Sequence, residues 1–272
     1  MVKAVGVGAD AVVLDLEDAV SPRDKVRARE AVRRVLEELA GGSACEIHVR
    51  INRLDAGYDM VDISAVVLPG LAGLRLPKCE SAADVLSVAS VLDDLEDERG
   101  IAPGTVRLYP TIETAAGVVS ANKIAAAGSR IGALVFGAAD FAASIGVSAP
   151  SFEVTLLARS TVVLASAAAG VGQPLDGAFL DLTDPDGLSE QCRRVKDLGF
   201  MGKSAIHPKQ LSVIHDVFTP SHEEVERARR IVAAVESGDT TGIVDGWFVD
   251  PPVIAQARSV LDLARRIEMR GD

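Results

Sequence analysis

Aromatic residues are scarce in this 272-residue chain, with two Tyr, one Trp and seven Phe making 4% of the total. Aliphatic residues and alanine must therefore build the core. Cysteine is scarcer still. Cys45, Cys79 and Cys192 are odd in number, far apart and form no C-x-x-C pair, which excludes a zinc knuckle or a disulfide framework and fits a cytoplasmic protein. Cationic residues are outnumbered, 28 Lys and Arg against 39 Asp and Glu, for a net charge of −11. Nucleic acid and anionic membrane are therefore not expected partners, because both need clustered cations. No stretch approaches the ~20 apolar residues of a membrane span, and the first residues lack a signal-peptide layout. No G-x-G-x-x-G or P-loop follows the first apolar run, which weakens any nucleotide-binding reading. No internal repeat or low-complexity segment is present, and no Pro/Gly/Ser-rich linker divides the chain before residue 238.

What is present is an ordinary globular balance, 48% hydrophobic and 25% charged. Short apolar runs alternate with helical segments. Seven runs read as strands, near 11–16, 46–51, 73–77, 106–112, 131–137, 175–180 and 202–206. Between them lie helices from Pro22, Ser81, Ala115 and Pro185 and one over 151–169, with further helices from Pro208, Ser221 and Pro251; residues 59–68 read equally as strand or helix, and Ile243 to Asp250 as irregular. Strand–helix alternation implies an α/β protein with a parallel sheet. The length suits a (β/α)8 TIM barrel, which takes ~250 residues but needs eight strands. The expected organisation is a barrel domain over 1–238 and a C-terminal lid segment over 239–272.

In such a barrel the chemistry sits at the C-terminal ends of the strands. Asp15, Glu17, Asp18, Arg50, Lys78, Glu113, Asp140 and His207 all fall at or just past an apolar run. Glu113 and Asp140 stand one strand–helix unit apart, and two carboxylates with open water positions suit Mg²⁺; two solvated loop acids would read the same way. Arg50 can grip a carboxylate or stabilise an enolate oxygen, or pair structurally with Asp15 or Glu17. His207 reads as a base or a cap, His48 as core, and Asp250 as an N-cap by default. The basic run Arg23, Lys25, Arg27, Arg29, Arg33, Arg34 is either a solvated face or a receiver for a phosphorylated ligand end.

Seven segments, in order, resemble the citrate lyase beta-subunit and malyl-CoA lyase family of HpcH/HpaI aldolase-like barrels. They are Val12 to Val20, Val49 to Asn52, Leu76 to Lys78, Ile112 to Gly117, Gly137 to Phe141, Gly202 to Pro208 and Val249 to Pro252. The resemblance implies a Mg²⁺-dependent lyase that cleaves or forms a carbon–carbon bond in a β-hydroxyacyl-CoA, giving acetyl-CoA or another acyl-CoA and a 2-oxo acid. It implies Glu113 and Asp140 as metal ligands, with Glu113 also meeting substrate. Arg50 would be the substrate-binding and oxyanion-stabilising arginine, Glu17 and Asp18 an acidic pair beside the metal, and Asp250 a catalytic lid acid. It further implies a homo-oligomer, trimer or hexamer, whose lid reaches a neighbouring subunit. Family members begin with a strand that has no counterpart here, so the barrel is expected to lack its first strand. Two alternatives remain open: a citryl-thioester lyase subunit of a larger complex, and a metal-dependent aldolase acting on free 2-oxo acids, which Asp18 disfavours.

Overall fold

Val, Leu and Ile dominate the short strands, and a run that is apolar on both faces must be covered on both faces, as in parallel sheets. The computed structural model describes residues 2–271 apart from 40–41, 44, 149–150, 237–241 and 245. The chain forms two compact units, Met1–Ile214 and His215–Asp272. The expected division at 238/239 lies outside the described residues.

The first unit holds seven strands: β1 (Ala11–Asp15), β2 (Glu46–Arg50), β3 (Leu71–Leu76), β4 (Arg107–Ile112), β5 (Ala133–Phe136), β6 (Gly172–Asp176) and β7 (Gly202–Lys203). They are hydrogen-bonded in sequence order, every neighbouring pair parallel, and curl into a half-barrel with β1 and β7 at its edges. Alternation along β1 sets the two faces. Val12 and Leu14 are buried outward, and Ala11, Val13 and Asp15 face the lumen.

Helices cover the outer face: α1 (Val2–Val5), α2 (Lys25–Leu39), α3 (Asp59–Val66), α4 (Ala82–Glu98), α5 (Ala115–Ala125), α6 (Ala138–Ser144), α7 (Phe152–Ala169) and α8 (Pro185–Leu198); α9 (Leu211–Phe218) spans the boundary of the two units. The ambiguous stretch from Asp59 is thus helical. Several helices begin where a side chain can accept from an orphan backbone N–H. Ser81 and Asp84 form a reciprocal capping box at α4, and Thr114, Ser151 and Asp184 cap α5, α7 and α8. Pro208–Gln210 is a short 3₁₀ turn ahead of α9. Helix α7 is long and apolar enough to cross a membrane by length and composition alone. Here it forms a wall of the half-barrel against β5, β6 and α5. Its Arg159 is buried between α7 and β6, where Nε donates to Asp176 Oδ1 at 2.9 Å.

Two expectations are corrected. The sixth strand, expected over 175–180, is Gly172–Asp176. Gly172 N donates to Gly132 O and Ser204 N to Asp176 O, so pairing with neighbours rather than the apolar run sets its limits. The chain bends away at Gly177, where a Cβ would press on the Phe136 carbonyl at 2.7 Å. The stretch before Asp250 is not irregular. It is an antiparallel hairpin, β8 (Gly242–Val244) with β9 (Trp247–Val249), whose Gly246 takes φ +79°. An Asp-Gly dipeptide at 245–246 is the sequence signal for it.

The second unit packs α10 (His222–Glu236) against α11 (Pro251–Gly271). Ala228, Ile231, Val249 and Ala257 form its core, joined by Val232, Val244, Val253, Ile254, Val260 and Leu261.

Candidate active site

The C-terminal ends of β1 to β5 collect acids around two cations. Asp15 closes β1 and organises the turn after it, accepting from Glu17 N at 2.9 Å and Ala19 N at 3.2 Å. Lys25 is turned inward from the basic helix, and its Nζ donates to the carbonyls of Leu16 and Glu17, both at 2.7 Å. Arg29 from the same helix pairs with buried Asp62 at 2.8 Å. Two of the six basic residues thus hold structure, and the Lys25 contacts fix the backbone that carries Glu17.

Arg50 closes β2. Its Nε donates to Asp15 Oδ1 at 2.8 Å and its Nη2 to Asp15 Oδ2 at 2.5 Å, while Nη1 lies 2.9 Å from Glu17 Oε2. The structural pairing is therefore present, and both partners contribute. Two of the five N–H donors of the guanidinium are hydrogen-bonded, both to Asp15, and the Glu17 contact is an ion pair without hydrogen-bond geometry, so three remain by count. Although burial works against both charges, Arg50 holds Asp15 below the usual carboxylate range, and Asp15 strengthens the proton affinity of Arg50.

Lys78 follows β3 with φ +47°, the one non-glycine residue in the left-handed region among the described residues. That conformation costs of order 1–3 kcal/mol and clusters at functional sites. It aims the Lys78 N–H at Glu113 Oε1, 2.8 Å away. The Lys78 ammonium meanwhile stands 3.4 Å from Glu17 Oε1, 3.8 Å from Asp18 Oδ2 and 4.0 Å from Asp140 Oδ1. Burial opposes its charge, but the three acids raise its proton affinity.

Glu113 lies just past β4 and is only 4% exposed. Burial pushes its carboxyl up to about 7, with Asp140 and Glu17 adding to the rise and the Lys78 N–H opposing it. Its other oxygen presses on Gly137, where a Cβ would collide with it, so glycine is required there. Asp140 stands in the first turn of α6, favourable for an anion. Glu17 is buried, and desolvation raises its proton affinity against the pull of Arg50.

The structure thus brings Glu17, Asp18, Arg50, Glu113 and Asp140 to one rim around Lys78. His207 is not part of this group; its Nδ1 accepts from Lys209 N at 3.1 Å as a cap. Asp250 belongs to the second unit, where Oδ1 accepts from Val253 N at 3.2 Å and caps α11. His48 is buried and stacks on Tyr109 with ring centroids 4.3 Å apart. All three cysteines are buried free thiols, and burial pushes Cys79 up to about 12 and Cys192 to about 11.

Among the described residues no three His, Cys, Asp or Glu side chains stand close enough to enclose a metal by themselves. Mg²⁺ does not need that; it is commonly held by one or two carboxylates and keeps several waters. The donor set fits it: oxygen ligands only, in a ring of acids that already draws an ammonium among them. The sequence reading left Lys78 without a role, took Lys25 only as one of a basic run, and passed over Asp176. A lysine directly after the strand's terminal proline was the signal for the first.

Residues 1–208 match the family model described as HpcH/HpaI aldolase/citrate lyase. The citrate lyase subunit beta of Leuconostoc mesenteroides subsp. cremoris is 37% identical over 270 residues, covering 97% of this chain and 89% of that protein. The L-malyl-CoA/beta-methylmalyl-CoA lyase of Cereibacter sphaeroides is 36% identical over 290 residues, covering 97% and 90%. The crystal structure of CitE from Mycobacterium tuberculosis in complex with magnesium, acetoacetate and coenzyme A superposes with a TM-score of 0.77. It shares 33% identity and covers 97% of this chain and 93% of that one.

Proposed function

The chain belongs to the HpcH/HpaI aldolase/citrate lyase family, and from that footing we propose that it is a Mg²⁺-dependent carbon–carbon lyase acting on a β-hydroxyacyl-CoA. The observation that carries this reading is the convergence of Glu17, Glu113 and Asp140 on Lys78 beside Arg50. One oxygen-liganded cation site beside one guanidinium is what retro-aldol cleavage of an anionic thioester demands.

Glu113 and Asp140 would hold the ion, which when bound lowers the pKa of the substrate hydroxyl and offsets negative charge on the acid portion. Arg50, fixed by Asp15, offers its remaining N–H donors to the substrate carboxylate or to charge developing on the thioester oxygen. Glu17 is the carboxylate suited to take the hydroxyl proton, since burial already raises its proton affinity. Asp18 and Lys78 balance charge beside it. As the bond breaks, its electron pair passes to the thioester enolate and the hydroxyl carbon becomes the carbonyl of the 2-oxo acid. Asp250 then delivers a proton to the enolate carbon, giving the acyl thioester; in the condensing direction it removes that proton.

The segment carrying Asp250 acts in this reading as a lid, contributed to a neighbouring subunit of a homo-oligomer, trimer or hexamer. An eighth strand between β1 and β7 would close the barrel. The protein works in the cytoplasm. The test is a panel of citryl-, malyl- and citramalyl-CoA with and without Mg²⁺, monitoring acyl-CoA and 2-oxo acid. Cleavage that stops with EDTA and in Asp140→Ala supports the reading. Cleavage that persists in Asp140→Ala refutes the metal assignment, and turnover only of acyl-carrier-protein thioesters makes the chain a subunit of a complex.

A further inference from the structure

Arg75 has no part in the steps above, and its setting is unusual for an arginine. It interrupts the apolar strand β3 between Leu74 and Leu76. Cross-strand register places it in a row of four, Asp15 opposite Arg50, Arg50 opposite Arg75, and Arg75 opposite Tyr109. Registered neighbours face one way, so this row crosses the lumen of the half-barrel just beneath the acidic rim. Two guanidiniums share the row with one carboxylate, and Arg50 takes that carboxylate through a two-point contact.

Arg75 is left with none. It is 8% exposed, and among the described residues no acid lies within ion-pair distance and no group accepts from its side chain. Its Nε is enclosed without a partner. The one favourable contact is the Tyr109 ring, 5.9 Å from the guanidinium carbon. Burial first, and the Arg50 charge after it, lower its pKa to about 10, which leaves it protonated at neutral pH.

A buried cation is ordinarily paired, because desolvation is otherwise uncompensated. Here the missing anion can arrive through the rim at the C-terminal ends of the strands, where Arg50, in the same cross-strand row, keeps its side chain 28% exposed.

We propose that Arg75 binds a carboxylate of the acyl group, one strand over from Arg50, and so makes the enzyme select thioesters whose acid portion carries two carboxylates over those carrying one. This rests on the lyase reading. Adjacent strands lie ~4.8 Å apart, a step commensurate with the spacing of carboxylates in a short 2-oxo dicarboxylate. The Tyr109 ring sits against the cation from one side, which favours a fixed guanidinium over a mobile one.

The test compares wild type with Arg75→Met and Arg75→Gln. The first reading is kcat/KM for citryl-CoA, a diacid thioester, against malyl-CoA, a monoacid one. The second is calorimetric binding of oxaloacetate against pyruvate. Wild type is expected to favour the diacid in both. Arg75→Met should lose about 10- to 100-fold on the diacid alone, the scale of one charge-assisted hydrogen bond, and leave the monoacid within about twofold. Arg75→Gln should fall between them, and carries the comparison should Arg75→Met fail to fold. Equal losses on both ligands, or an unchanged preference, overturn the proposal. Should wild type cleave neither thioester, the lyase reading fails by itself. Arg75-dependent preference for oxaloacetate over pyruvate would then still uphold the carboxylate site, and its absence would end it.

Discussion

Replacing Glu113 with Gln should change how stability depends on pH. The carboxyl is buried, and its pKa is raised from 4.5 to about 7, chiefly by desolvation. A raised folded-state pKa means that the folded protein binds the proton more tightly than the unfolded chain does. The associated stability is fully present below about 4.5 and is lost as pH rises through about 7. At ~1.36 kcal/mol per unit, the shift corresponds to a loss of roughly 3 kcal/mol across that window, as an upper bound. The amide of Glu113→Gln keeps an oxygen to accept from the Lys78 N–H but does not titrate. Urea unfolding of both proteins in EDTA, from pH 4.5 to 8, isolates this residue, because every other titrating group is common to the pair. The difference curve should rise in favour of Glu113→Gln by up to roughly 3 kcal/mol, and saturating Mg²⁺ should reverse it by stabilising only wild type. Superimposable pH profiles in EDTA would refute the assignment of a raised pKa to Glu113.

Two further outcomes are expected. Asp250→Asn should lower kcat by about 100-fold or more with little change in KM, as loss of a proton donor does; a change confined to KM in steady-state assays would remove Asp250 from the proton transfer. Asp176→Ala should destabilise by about 3–5 kcal/mol in chemical denaturation, because Arg159 and Lys203, the latter 2.5 Å from Asp176 Oδ2, would be left buried as unpaired cations; a cost below ~1 kcal/mol would show that they find other partners.

Most of the half-barrel was legible from the chain. Apolar runs ending in acids gave β1 and β4 their place, and Ser81, Ser151 and Pro185 marked helix starts, where the structure has Ser81, Ser151 and Asp184 as caps. The sixth strand was misplaced because apolar residues continue to Leu180 while strand pairing ends at Asp176; Leu180 is exposed. The candidate site was legible as a set of residues but not as a network. Nothing local to Arg50 decides that Asp15 takes two of its nitrogens, since the two residues are 35 apart in sequence. The left-handed backbone of Lys78 was equally hidden, because a non-glycine residue adopts it only when tertiary contacts such as that to Glu113 hold it there. Arg75 did carry a signal, a charge flanked by leucines in a buried strand.

Tyr109 draws a different consequence from the same lumen. Its ring leans across Gly73 on one side and Gly132 on the other, each so close that a Cβ would meet ring atoms at 2.5–2.9 Å. It also stacks on His48 and underlies Arg75. These positions, spread over four consecutive strands or their approaches, form a steric interlock. No alanine can enter at residue 73 or 132 while a large ring stands at 109, and a smaller residue at 109 would strip Arg75 of its one contact. Lineages of this protein can therefore gain a side chain at residue 73 or 132 only where residue 109 has become smaller, so divergence at either glycine predicts divergence at the tyrosine.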